Sequence, residues 1–183
     1  PATGEHTGDV ELASRADVDR VVASARAAAR DWRRASLSKR SAVLFAFRAL
    51  LAKNADELAQ LVTSEHGKVI ADAAGEVARG LENVEFACGV PQLMKGGYSE
   101  QVATDVDTYS IRQPLGVVAG VTPFNFPVMV PLWMAANAIA CGNAFVLKPS
   151  EKDPSASLFL AELWRRAGLP DGVINLIYPE GPE

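Results

Sequence analysis

Cysteine, histidine and long apolar runs are all scarce in this 183-residue sequence. The two cysteines, Cys88 and Cys141, make neither a disulfide framework nor a metal-ligand spacing. Both stand in apolar sequence and read as small buried thiols of a reducing compartment. The two histidines, His6 and His66, are isolated, so no metal site is expected. Basic runs are missing too. With a net charge of -4, nucleic acid is not an expected partner, and Arg33–Arg34 and Arg165–Arg166 read as solvated helix faces. The longest apolar stretch, Val128 to Cys141, holds Pro131 and Asn137 and falls short of the ~20 apolar residues that span a bilayer. No signal-peptide pattern opens the chain, and a cytoplasmic protein without a membrane partner is the expectation. Finally, there is no Gly-x-Gly-x-x-Gly, so the common dinucleotide fingerprint is absent.

What is present is globular material, 49% hydrophobic and 22% charged, enough for one domain or one and a fraction. The first third reads as helices. Ser14 with Asp17 makes an N-cap for a helix carrying Val18, Val21, Val22, Ala25, Ala29 and Trp32 at helical spacing. Ser38 opens a second helix and Asn54 caps a third that ends at His66-Gly67. A fourth runs from Val69 to Met94, with Pro91 marking a break.

The period then changes. After Gly96-Gly97, the segments Tyr98–Ala103 and Val106–Arg112 alternate as a β-hairpin, an arm rather than core. From Pro114 the pattern is βαβαβ: strand Leu115–Val121, helix Val128–Cys141, strand Ala144–Leu147, helix Pro154–Ala167, strand Val173–Ile177. Short apolar strands alternating with helices predict a parallel sheet. The fold class is α/β: N-terminal helices (1–95), a hairpin arm (96–113), then a Rossmann-like half-sheet (114–183).

In such a sheet, ligands bind beyond the carboxyl ends of the strands. Two loops leave those ends. In Lys148-Pro149-Ser150-Glu151-Lys152, a carboxylate can accept both hydroxyls of a ribose while a lysine donates to sugar or phosphate. A plain surface salt bridge fits the same residues. In Thr122-Pro123-Phe124-Asn125-Phe126-Pro127, two prolines stiffen the backbone around one asparagine. Its amide can serve as an oxyanion donor or can cap the helix that follows.

Together, Pro114-Leu115-Gly116-Val117, the Thr122–Pro127 loop, Cys141-Gly142-Asn143, Lys148–Glu151 and Gly168-Leu169-Pro170-Asp171-Gly172-Val173 resemble the aldehyde dehydrogenase superfamily in order and spacing. Upstream, Pro1–Glu5 is similar to the family's early turn, and Glu65-His66-Gly67-Lys68 to its Glu-x-Gly-Lys segment. Phe124-Asn125-Phe126-Pro127 followed by Val130–Met134 is most similar to the acylating methylmalonate-semialdehyde branch. Many other members carry Trp where Phe124 stands.

The resemblance implies NAD as cofactor, coenzyme A as co-substrate, a small aldehyde substrate and a homodimer or homotetramer. It implies Asn125 as the oxyanion amide. Thr122, Pro123 and Phe124 would line the nicotinamide-ribose side, and Lys148, Glu151, Ser150 and Lys152 would surround the adenosine ribose. Trp133 would line the aldehyde tunnel, or else sit in the core. Arg79 would pair with a substrate carboxylate, or else be a solvated helical arginine.

The family's chemistry also needs a cysteine thiolate and a general-base glutamate. Neither Cys88 nor Cys141 fits, and the matching positions lie beyond residue 183. The expectation is therefore an N-terminal portion that does not oxidise aldehydes alone. Two other readings are a succinate-semialdehyde or betaine-aldehyde dehydrogenase, and a non-catalytic oligomerising protein.

Overall fold

The computed structural model describes residues 3–6 and 8–178. The expectations for Pro1-Ala2 and for the last turn, 179–183, lie outside the described residues. In chain order the elements are α1 (Arg15–Trp32), α2 (Leu37–Lys53), α3 (Ala55–His66), α4 (Ile70–Cys88), α5 (Val90–Leu93), β1 (Tyr98–Ala103), β2 (Val106–Tyr109), β3 (Val117–Val121), α6 (Met129–Ala140), β4 (Ala144–Lys148), α7 (Ser155–Arg166) and β5 (Ile174–Leu176).

Local signals account for most of the helix ends. Ser14 caps α1 in a reciprocal capping box with Asp17. Gly67, at φ 90°, closes α3. Three boundaries differ from the sequence reading. The cap of α2 is Ser36 rather than Ser38, because the Ser36 hydroxyl accepts the Lys39 N–H. Asn54 sits at the start of α3, but its side chain makes no cap there. It donates instead to the Leu50 carbonyl at the end of α2. The long fourth helix breaks at Gly89, and Pro91 belongs to the first turn of the short α5, where a missing N–H costs nothing.

The hairpin is exposed on both faces. Its second strand ends at Tyr109, short of the expected Arg112, and Ser110 closes it with an N–H to the Gly97 carbonyl. Strands β3, β4 and β5 form a parallel sheet in that order, with Val117 opposite Ala144 and Phe145 opposite Ile174. β3 starts two residues later than expected, leaving Leu115 exposed.

Period-two alternation divides the sheet between two covers. Phe145 and Leu147 of β4 face a large core built with α6, α7 and the helical layer α2–α4. Ala144 and Val146 face Ala25 and Ala29 of α1. β5 is an edge strand of this sheet, and just beyond its end the Ala13 N–H, from the approach to α1, donates to the Tyr178 carbonyl.

α6 has no charged residue, yet both its ends are satisfied from elsewhere. At its N-terminus, Glu76 of α4 accepts the N–H groups of Val128 and Met129. At its C-terminus, Arg40 of α2 donates to the Ala140 carbonyl and the Trp32 indole donates to that of Ile139. An acid at one end and a cation at the other complement the helix dipole. Gly142, at φ 91°, then turns the chain into β4. α7 likewise starts without its own cap: Glu65 of α3 accepts the Ser155 N–H and hydroxyl.

Candidate functional site

The ends of β3 and β4 lie side by side, and the Thr122 N–H donates to the Lys148 carbonyl. This register brings both predicted loops to one rim. Lys152 Nζ lies 4.9 Å from the centre of the Phe124 ring, a cation–π contact that joins them.

In the second loop, Lys148 donates to Glu151 Oε2 at 3.1 Å. The Glu151 backbone N–H, and then Lys148, hold its carboxyl below the usual range, so it is ionised at neutral pH. Lys148 occupies only one carboxylate oxygen, and Glu151 is half exposed. The pair therefore fits a ribose diol, with one acceptor oxygen and one ammonium group presented together. The buried Ser150 hydroxyl accepts the Lys152 N–H and fixes the turn.

In the first loop, Thr122 is buried and its hydroxyl makes no hydrogen bond among the described residues. Pro123, Phe124 and Asn125 are exposed. The helix-capping alternative for Asn125 fails on geometry, since Glu76 fills that place and no side chain of the loop caps α6. Instead, the Asn125 carbonyl accepts a hydrogen bond from Lys68 Nζ at 2.7 Å. Its side-chain amide is left for another partner. Asn125 lines a pocket of about 600 Å³ together with His66, Lys68, Glu76, Arg79 and Met129.

Arg79 lies on the exposed face of α4, three residues after Glu76, and makes no ion pair among the described residues. It also lines an adjoining groove of about 320 Å³ with Asn83, Phe86 and Trp133. Trp133 is 45% exposed, which overturns the core alternative. Asn125, Arg79 and Trp133 thus follow one another along α4 and α6. Lys148, Ser150 and Glu151 lie outside that pocket. Glu151 and Lys152 line a different cleft of about 560 Å³, with Glu65, Ser155 and Tyr178.

Neither cysteine belongs to the site. Cys88 is buried, and burial followed by the Glu85 charge pushes its thiol up. Cys141 ends α6, about 18 Å along the axis from the helix start at 1.5 Å per residue. Among the described residues, no His, Cys, Asp and Glu cluster could hold a metal, and no helix is long and apolar enough to cross a membrane.

Two residues that line the Asn125 pocket, Glu76 and Lys68, and one buried acid next to the ribose loop, Asp153, were given no role from sequence. Glu76 stands 52 positions before the N–H it accepts, so no local pattern shows its role. Lys68 was visible only within the Glu-x-Gly-Lys segment. Asp153, just after the second loop, is 2% exposed with both carboxylate oxygens lacking partners. Burial, and then the charge of Glu65, raise its pKa to about 7.

The model of the aldehyde dehydrogenase family matches residues 1–183. The chain is 52% identical to a malonate-semialdehyde dehydrogenase of Pseudomonas aeruginosa, covering 97% of this chain and 36% of the relative. It is 50% identical to the mitochondrial acylating methylmalonate-semialdehyde dehydrogenase of Arabidopsis thaliana, covering 97% and 29%. Among solved structures, it superposes on methylmalonate-semialdehyde dehydrogenase from Oceanimonas doudoroffii with TM-score 0.95 and 53% identity, covering 98% and 37%. A putative methylmalonate-semialdehyde dehydrogenase from Sinorhizobium meliloti complexed with NAD gives TM-score 0.95 and 52% identity, again covering 98% and 37%. The chain spans between 29% and 37% of these relatives' length. Matched along its whole length and at half-identity to several members, the chain belongs to the aldehyde dehydrogenase family.

Proposed function

We propose that these residues supply the adenosine-ribose contacts and the oxyanion amide of an NAD-dependent dehydrogenase for a carboxylate-bearing semialdehyde. The observation that carries this reading is the freedom of the Asn125 amide. Glu76 does the capping, so the side-chain amide of Asn125, whose backbone carbonyl is held by Lys68, is free to donate at the pocket that Arg79 also lines.

In this reading an aldehyde enters along Trp133 and Arg79. Arg79 binds its carboxylate with a planar two-pronged donor. Asn125 donates to the carbonyl oxygen as negative charge develops there, and such a donor is worth about 10²–10³ in kcat. The attacking thiolate and the general base come from residues outside this chain. Lys148 and Glu151 orient the cofactor ribose, and Thr122, Pro123 and Phe124 form the nearby wall. NAD held there would supply the hydride acceptor. Malonate and methylmalonate semialdehydes, the substrates named for the relatives, both carry the carboxylate that Arg79 suits. Coenzyme A as acyl acceptor rests on the acylating relative. The hairpin, with Tyr98, Val102, Val106 and Tyr109 exposed, is the proposed arm of a homodimer or homotetramer.

Two titrations test the reading. Calorimetric NAD binding is expected to weaken about tenfold in Glu151→Ala, the effect of one lost charged hydrogen bond. In the full-length protein, Arg79→Met is expected to lower kcat/KM for malonate semialdehyde while sparing propionaldehyde, which has no carboxylate. Unchanged NAD affinity, or equal losses on both aldehydes, refutes the corresponding assignment.

A further inference from the structure

Lys68 and Glu76 form a nearly enclosed ion pair, 2.6 Å long, with side-chain exposures of 10% and 1%. Neither touches the ribose loop. Lys68 touches the Asn125 loop itself, and Glu76 touches the start of α6 that follows it. Lys68 donates to the Asn125 carbonyl at 2.7 Å, and its ammonium lies 4.6 Å from the centre of the Phe126 ring. Glu76 uses one oxygen for Lys68 and the other for Val128 and Met129 N–H, at 2.8 and 3.1 Å. The loop is thus held at Asn125 and Phe126 by the cation and at the start of α6 by the anion. Prolines 123 and 127 stiffen what lies between.

We infer that Lys68 and Glu76 are positioning residues that aim the Asn125 amide, a single clamp reaching from α3–α4 across to the βα loop. This rests on the oxyanion reading of Asn125. The physical reason for an ion pair here is directional. Lys68 has three donors, and two are spent on Glu76 and the Asn125 carbonyl. A hydrophobic pair of equal volume would pack as well but would not register the loop. Because Arg79 follows Glu76 on the same helix, the clamp also fixes the distance between amide and substrate-carboxylate site.

The test is a double-mutant cycle in the full-length protein, reading kcat and the KM for NAD. Asn125→Ala alone is expected to lower kcat about 10²–10³-fold. If it does not, the oxyanion reading falls and the clamp has nothing to aim. Lys68→Met is expected to lower kcat about 10²-fold, as a misplacement of about 1 Å does, with the KM for NAD nearly unchanged. In the Asn125→Ala background the same change is expected to cost under about threefold, because residues acting as one unit are not additive. Lys68→Arg, which keeps a donor for both acceptors, is expected to recover most of the activity. If Lys68→Met does not fold, Glu76→Gln runs through the same cycle, since its amide oxygen still accepts from Val128 and Met129. Equal fold-losses in both backgrounds, or a Lys68→Met enzyme with normal kcat, overturn the clamp.

Discussion

Asp153 should govern how stability changes with pH. Its carboxyl is 2% exposed, and its oxygens have no well-formed partner among the described residues; burial first, then the charges of Glu65 and Glu76, raise it, against a lowering contribution from the Ser150 hydroxyl. Its pKa rises from 3.8 to about 7. The unfolded chain releases this proton near pH 4, whereas the folded chain keeps it until about pH 7. Between those values the folded state binds more protons, so its stability falls as pH rises and levels off above pH 7. A shift of about three units corresponds to roughly 4 kcal/mol at ~1.4 kcal/mol per unit. Asp153→Asn keeps the shape and removes the charge. Urea unfolding followed by circular dichroism, at intervals from pH 4 to pH 8.5, reads Asp153 together with its coupling to Glu65 and Glu76, because carboxylates not coupled to it cancel in the difference between the two proteins. The variant is expected to gain on the wild type by about 4 kcal/mol across that range. A difference that stays constant with pH to within about 1 kcal/mol would refute the buried-acid account.

Further outcomes follow from the same packing. Glu65→Gln should lower the Asp153 pKa by removing the neighbouring charge and shrink the pH-dependent difference, while Glu65→Ala should also cost about 1 kcal/mol through the lost cap of α7, read by thermal melting. Gly142→Ala should destabilise by about 1–2 kcal/mol for its left-handed backbone alone, and its new Cβ would meet Arg40 Nη1 at 2.8 Å and the Pro114 ring at 2.9 Å. A melting temperature equal to the wild type's would contradict that. Phe47→Ala should cost about 3–5 kcal/mol, since the ring stacks on Trp164 at 3.5 Å between centres. Loss of the near-ultraviolet tryptophan signal would accompany it. Arg40→Met should cost about 2 kcal/mol by stranding the buried Ala140 carbonyl at the end of α6, measured by denaturant midpoint.

The sequence was informative where the physics is local. Ser14 and Asp17 are three residues apart, and their capping box was legible. The βαβαβ alternation gave the parallel sheet, and strand ends alone put Lys148 and Thr122 on one rim. It was silent where a group is satisfied across the fold. Asn125 left two readings open because its competitor for the helix end, Glu76, lies on another helix. Trp133 is apolar and stands in an apolar helix, so exposure could not be told from burial until α4 was in place beside it. Asp153 looked like one more polar turn residue, and only packing against α3 made it an unusual acid.

The borrowed ends of α6 set an order of events. Every group that finishes this helix precedes it in the chain: Trp32, Arg40 and Glu76 are all made before Met129. As the polypeptide leaves the ribosome, donors and acceptors are already assembled when the apolar segment Met129–Ala140 appears. It can dock at once, with little time as a sticky, unfinished helix. A circular permutant that places residues 114–178 ahead of 8–113 would keep the native pairings of α6 yet reverse this sequence. Its yield on the ribosome should fall while its stability after refolding from urea stays near that of the parent. The fold would then carry, in its connectivity, a preference for being built from one end.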